Sequence, residues 1–330
     1  MTTSWHSIDP RPLGTRNVAA LGLGCWAIGG PWRFDGRDAG WGEVDDAESV
    51  RAIRRALDLG VTLFDTADVY GCGHSERVLG RALAGRRDEA VIATKFGHVF
   101  DEATREGAGV DASPAAARRA CEASLRRLGT DHIDLFQLHA GADEPGAAEA
   151  IVETLEELVT EGKIRAYGTS NEAQPVVEAF ARGRHCVSVQ QQLNVFGVNE
   201  DALAACERHG LAALARSPLA MGLLTGKYRP GGPRPGAGDV RRDTPWWDYF
   251  DDGAFETWYA RLETIRDALT TDGRTPAQGA LAWIWARSPA TIPIPGFRTV
   301  AQVEENIAAL TFGPLPADAV AAIEAALAPA

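Results

Sequence analysis

An α/β protein built as a (β/α)8 TIM barrel, with an N-terminal hairpin and long loops over the C-terminal mouth, is the fold class this 330-residue sequence predicts. Three observations predict it. Eight short β-branched or apolar runs recur along the chain, amphipathic helix-like stretches alternate with them, and no linker or compositional break interrupts the rhythm. Residues 1–330 are therefore expected to form one barrel domain. An open doubly wound sheet is the alternative that the same alternation allows.

In chain order, IDPRPLGTRN (8–17) reads as a hairpin closing the barrel bottom. The strands follow as VAALGLG (18–24), GVTLFDT (60–66), AVIATKF (90–96), HIDLFQLH (132–139), IRAYGTSN (164–171), CVSVQQQL (186–193), LAALARSPL (211–219) and TIPIPG (291–296). Most are continuously apolar, as strands covered on both faces by helices must be. The helix-like DDAESVRAIRRALDLG starts like a capping box, Asp45 with Glu48, and SPAAARRACEASLRRLG starts with Ser113 as cap and Pro114 in the first turn. Both end in a glycine suited to a C-terminal cap. Two long insertions, 29–42 and 229–253, break the rhythm and are rich in aromatics, so they read as lids over a site.

Composition narrows the partners. A hydrophobic fraction of 45% with 24% charged residues is ordinary for a globular protein, and a net charge of -12 argues against nucleic acid or an anionic membrane. The polar start and the lack of a long apolar run point to a cytoplasmic protein with no membrane segment. The five cysteines form no CxxC pair, read as reduced buried thiols, and no Cys/His cluster suggests a metal. The sequence sets no oligomeric state.

The stretch GLGCWA (22–27) matches a dinucleotide-binding fingerprint, but it runs into Ile28-Gly29-Gly30-Pro31, which cannot continue the required helix. Barrel chemistry resides instead at the C-terminal strand ends. Asp65, Lys95, His139, Ser170 with Asn171, Gln190 and Ser217 all stand where apolar runs stop, and Tyr70 lies in the loop above Asp65. A phenol of pKa about 10 needs a cation to favour its ionised form. An ammonium about 4 Å away, at an effective dielectric near 20, is worth roughly 4 kcal/mol or about three pKa units, with burial opposing part of it. Lys95 can be that cation, Asp65 can hold it, and His139 can orient the oxygen that Tyr70 protonates: a general-acid site for a carbonyl.

These residues resemble the aldo-keto reductase superfamily, bacterial branch, through FDTADVYG, ATKFG, DLFQLH, GTSN, SPLAMGLLTGKY and IPIPGFRTVAQVEEN. The resemblance implies an NADP(H)-dependent oxidoreductase, with NADH possible, reducing an aldehyde, ketone or keto-sugar. It implies a catalytic tetrad of Asp65, Tyr70, Lys95 and His139, with Tyr70 as acid. It places Gly24, Cys25, Trp26 and Asp65 along the cofactor, Ser170, Asn171 and Gln190 on its carboxamide, and Ser217, Leu219 and Gly222 on its pyrophosphate. Arg298 and Gln302 fall near the 2′-phosphate, and Glu305 and Asn306 near the adenine. Leu193 falls where the resemblance expects a ring-stacking residue. The substrate would meet Trp26, Trp32 or Trp41, Tyr70, Phe96, His98, His139 and the WWDYF lid with Trp246. Alternatives of other classes are a cofactor-sensing protein of the potassium-channel β-subunit type and a barrel hydrolase using Asp65 and His139.

Overall fold

The computed structural model describes residues 8–142, 146–242 and 244–328; the polar start at 1–7, read above as lacking a signal segment, lies outside the described residues. The strands are β1 Arg11–Leu13, β2 Arg16–Val18, β3 Leu23–Gly24, β4 Arg33–Phe34, β5 Arg37–Asp38, β6 Leu63–Asp65, β7 Val91–Phe96, β8 His98–Asp101, β9 Glu106–Val110, β10 Ile133–Leu138, β11 Ile164–Thr169, β12 Cys186–Asn194, β13 Gly197–Val198, β14 Ala212–Arg216 and β15 Thr291–Pro293. The helices are α1 Asp46–Asp58, α2 His74–Leu83, α3 Pro114–Leu128, α4 Ala147–Thr160, α5 Gln174–Ala181, α6 Glu200–His209, α7 Ala254–Leu269, α8 Pro276–Arg287, α9 Val300–Ala308 and α10 Ala317–Leu327.

Parallel pairing runs β3-β6-β7-β10-β11-β12-β14-β15. A bridge between Gly24 and Gly296, with Gly22 and Gly24 donating to the carbonyls of Pro293 and Pro295, closes the ring. The first barrel strand is shorter than the expected 18–24: Val18 belongs to the β1–β2 hairpin, and only Leu23–Gly24 pair with β6. That hairpin closes the floor. Leu13 and Val18 pack beneath Leu63, Val91, Leu135, Leu214 and Ile292, which point into the barrel. The opposite faces of the strands bury Phe64, Ile92, Phe136 and Tyr167 against the helix ring.

Helix starts follow the sequence with one difference. Ser113 caps α3 through Ala116 N, and Asp45 caps α1 by accepting from Ala47 N and Glu48 N. Glu48 does not complete a capping box. Its Oε1 accepts from Val300 N and its Oε2 pairs with Arg51, so it ties α1 to the start of α9 instead.

The loops carry more structure than expected. Within 29–42, β4 and β5 join the β8–β9 hairpin in a four-stranded sheet ordered β5-β4-β9-β8 beside the mouth. The second insertion divides its aromatics. Tyr249 and Phe250 are 4% and 7% exposed and anchor on Trp258, Tyr228 and Phe255, whereas Trp246, 53% exposed, and Trp247 face the mouth. The five cysteines are free and buried.

Leu13→Ala should lower stability by about 2–4 kcal/mol, because the floor cannot collapse onto the space left. Urea unfolding checks this, and an unchanged midpoint would mean that the hairpin does not seal the barrel.

Candidate active site

A cavity of about 790 Å³ opens at the C-terminal end of the barrel. At its base Lys95, which has no exposed surface, donates from Nζ to Asp65 Oδ1 at 2.5 Å, to Thr66 O at 2.8 Å and to Tyr70 Oη at 3.4 Å. The other carboxylate oxygen, Asp65 Oδ2, accepts from Gln190 Nε2 at 2.7 Å and Gln137 Nε2 at 3.1 Å. The Tyr70 ring stacks on Trp26, with centroids 5.7 Å apart, and His139 meets it edge-on at 5.8 Å. The tyrosine stands on a tight turn whose next residue must be glycine. Gly71 has φ +62°, and a Cβ there would lie 1.9 Å from Gly29 O.

The electrostatics differ from the sequence expectation on one point. Burial dominates at Tyr70 and raises its pKa, although Lys95 opposes it. The phenol is thus a fully protonated donor at neutral pH, not one poised to ionise. Burial alone would lower Lys95, but Asp65 and Tyr70 outweigh it and raise its pKa. His139 is held well below the usual imidazole range by burial, then by His98, Lys95 and Arg216, so it is neutral. His98, 4.7 Å from His139 between ring centroids, is pushed down to about 4 by burial. The Nδ1 atoms of both histidines are buried without hydrogen-bond partners.

Most expected residues reach this cavity. Gly24, Trp26, Asp65, Tyr70, His98, His139, Ser170 and Gln190 line its inner part, with Trp32, Trp41 and Trp246 around the rim. Ser217, Leu219, Gly222, Arg298 and Gln302 line its far arm. Five expected residues stand elsewhere. Cys25 is buried in the core with its Sγ near Leu23 O, because Gly24 and Trp26 take the positions facing the cavity. Phe96 follows inward-pointing Lys95 on β7, so it points out of the barrel and stacks on Phe136 at 4.6 Å. Asn171 donates to Gly141 O at 2.8 Å. Glu305 is solvent-exposed, and Asn306 is buried and turned to Gly296 O. Leu193 is likewise buried in the outer core, and Arg216, which the sequence reading missed, lines the wall there with Gln192. Gln137 was also missed; its signal was a lone amide inside an apolar strand.

The donors of the far arm suit an elongated polyphosphate. Five cations line the cavity, Arg216, Lys227, Arg234, Arg241 and Arg298, against two carboxylates, Asp65 and Asp239, both of them paired. The wall after β14 is strained: Ser217, Ala220 and Met221 hold left-handed φ values of 52°, 45° and 56° before Gly222 at 95°. Such outliers persist where the surrounding structure over-determines the backbone, and they cluster at functional sites. Arg298 donates to Trp41 O at 3.1 Å and to Glu43 O, so its guanidinium also secures the first long loop at the rim.

A protonated phenol beside a buried ammonium, facing a basic groove across a barrel mouth, defines a barrel oxidoreductase. The chain belongs to the aldo/keto reductase family, whose profile matches residues 20–328. It is 32% identical over 314 residues to the NADP(+) aldo-keto reductase yakc of Schizosaccharomyces pombe, covering 92% of this chain and 87% of that protein. Among solved structures, a glycerol dehydrogenase of Gluconobacter oxydans has a TM-score of 0.81 at 32% identity, covering 98% of this chain and 96% of that one. An aldo/keto reductase of Klebsiella pneumoniae in complex with NADP and acetate has a TM-score of 0.71 at 30% identity, with coverage of 97% and 96%. No helix among the described residues is long and apolar enough to cross a membrane.

His98 carries a pH prediction. Its folded pKa is depressed, so the unfolded chain takes up the proton first. Its contribution to stability is complete above about pH 6.5, the unfolded value, and is lost as the pH falls toward about 4. Melting temperature should therefore drop less steeply between those limits in His98→Phe than in the wild type. Parallel curves would show that burial does not hold His98 neutral.

Proposed function

We propose that this chain is an NADP(H)-dependent carbonyl reductase acting on an aldehyde, ketone or keto-sugar, with Tyr70 as the general acid. The carrying observation is the Tyr70 hydroxyl, 3.4 Å from a buried ammonium and set at the base of a cavity walled by Trp26, Trp32 and Trp247. When bound, NADPH supplies the hydride for the carbonyl carbon. Ser170 and Gln190 fit its carboxamide, and Ser217, Leu219 and Gly222 its pyrophosphate. Arg298 and Gln302 at the end of the groove suit a 2′-phosphate, for which a guanidinium fork is well matched. Use of NADP by the fission-yeast and Klebsiella relatives supports the same cofactor here.

The chain's own residues account for the proton. Neutral His139 donates a hydrogen bond to the carbonyl oxygen and turns it toward Tyr70. The phenol releases its proton as negative charge develops on that oxygen, and Lys95 stabilises the resulting phenolate. The Asp65 carboxylate, itself held by two amides, keeps the ammonium in place through the transfer. Aromatic walls exclude water from the reacting oxygen and suit flat apolar carbonyls; their faces also stack on sugar rings.

Two variants test the proposal. Tyr70→Phe should lose at least about 100-fold in reductase turnover, the usual contribution of a positioned acid, while NADPH binding holds. Retained turnover would remove Tyr70 as the acid, and NADPH binding without Tyr70-dependent turnover on any of a panel of aldehydes, quinones and keto-sugars would favour a cofactor sensor. Arg298→Ala should weaken NADPH much more than NADH in titrations. Equal losses would mean that Arg298 serves the loop and not the phosphate.

A further inference from the structure

Arg216 is the last residue of β14 and lies opposite Gln192 in the β12–β14 register, one pleat beyond the level of Gln190. Its side chain is one-third exposed and lines the cavity beside Ser217. One of its nitrogens, Nη2, pairs with Glu172 Oε1. That carboxylate is itself fixed, accepting from Gln192 N at 2.9 Å through Oε1 and from Asn199 Nδ2 at 3.2 Å through Oε2. The guanidinium is therefore aimed, with donors left over toward the cavity. Its charge reaches the reacting corner, where it depresses His139 and opposes the burial-driven rise of Tyr70.

We propose that Arg216, oriented by Glu172, biases the site toward the reduced form of the dinucleotide. The inference rests on the NADP(H) reading above. A nicotinamide whose carboxamide meets Ser170 and Gln190, and whose pyrophosphate meets Ser217, lies along the wall that Arg216 forms. The reduced ring is neutral and the oxidised ring carries a positive charge, because the hydride leaves with both electrons. A fixed cation against that wall repels the oxidised ring and leaves the reduced ring untouched, so it favours binding of NADPH and release of NADP+ after turnover. Glu172 cancels part of this field while holding its source in place. The wall is thus tuned by a pair and not by a bare charge.

The test is the ratio of dissociation constants, Kd(NADP+)/Kd(NADPH), measured on the full chain by NADPH fluorescence and calorimetry without substrate. Arg216→Gln should lower the ratio about tenfold, or about 1.4 kcal/mol, by tightening NADP+ selectively. Arg216→Lys, which keeps the charge, should hold the ratio near the wild-type value. Glu172→Gln, which keeps an acceptor for Gln192 N but removes the compensating charge, should raise it. An unchanged ratio in Arg216→Gln, or a fall in Arg216→Lys as large as in Arg216→Gln, overturns the proposal, since a steric wall would behave that way. Should Arg216→Gln not fold, Glu172→Gln against Arg216→Lys carries the same decision: a ratio no higher in the first than in the second overturns it. A wild-type protein that binds neither form would sink the NADP(H) reading itself, whereas binding of both with no charge dependence sinks only this inference.

Discussion

The buried ion pair of Asp65 and Lys95 is the constraint around which the rest of the mouth is arranged. A lysine without exposed surface is tolerable only if every proton on its ammonium finds an acceptor, and here three oxygens from one segment supply them: Asp65 Oδ1, Thr66 O and Tyr70 Oη. The carboxylate is satisfied in turn by amides from two other strands, Gln137 on β10 and Gln190 on β12. Four of the eight barrel strands thus each send one polar group to the same point. Removing any one leaves a buried donor or acceptor unpaired, which costs far more than the net worth of the bond. The network therefore fixes strand register as well as the position of the phenol. In the β7–β10 pairing, Gln137 stands directly opposite Lys95.

Charge is distributed against the average of the chain. A protein of net charge -12 lines the cavity at its barrel mouth with five cations and two paired carboxylates. The acidic exterior and the basic groove serve different ends, since a surface charge sets solubility whereas a groove with low-dielectric walls focuses a field on its occupant. At the base of the cavity the logic changes again. The two imidazoles, His98 and His139, are both driven neutral by burial, so the charges that act on the phenol are the Lys95–Asp65 pair and the Glu172-bound Arg216.

Much of this was legible in the sequence, and the failures have physical causes. Strand ends were visible because Asp65, Lys95, His139 and Gln190 interrupt apolar runs, and a barrel gathers such ends at one mouth. Phe96 was misassigned although strand alternation excludes it: once Lys95 points inward, its neighbour must point out. Cys25 failed for a similar reason, with Gly24 and Trp26 on the cavity side of it. Arg216 was passed over because it ends an otherwise apolar strand and looks like a solvent-seeking terminus; only the Glu172 partner, 44 residues away in sequence, reveals that it is held. The four-stranded sheet at the mouth was missed because β9 joins β4 through long-range pairs, Arg33 with Glu106 and Phe34 with Gly107, which no local pattern encodes.

The long insertions illustrate how tertiary contact decides between a lid and an anchor. The composition of WWDYF suggested one role, yet the structure separates the indoles at the mouth from the deeper Tyr249 and Phe250 that tether the loop. The tethered loop then meets the first insertion above the groove. Trp41 bridges Asp239, Val240 N donates to Gly40 O at 2.7 Å, and the Arg241 guanidinium lies 4.5 Å from the Trp41 ring centre. Arg241 is gripped at both ends of its fork by Asp239 and also donates to Met221 O, in the strained wall after β14. Strained backbone, loop junction and cavity wall are therefore one connected unit. The left-handed turn at Ser217–Gly222 persists because an arginine from a distant loop is bonded into it, and that arginine stays in place because the first insertion covers it.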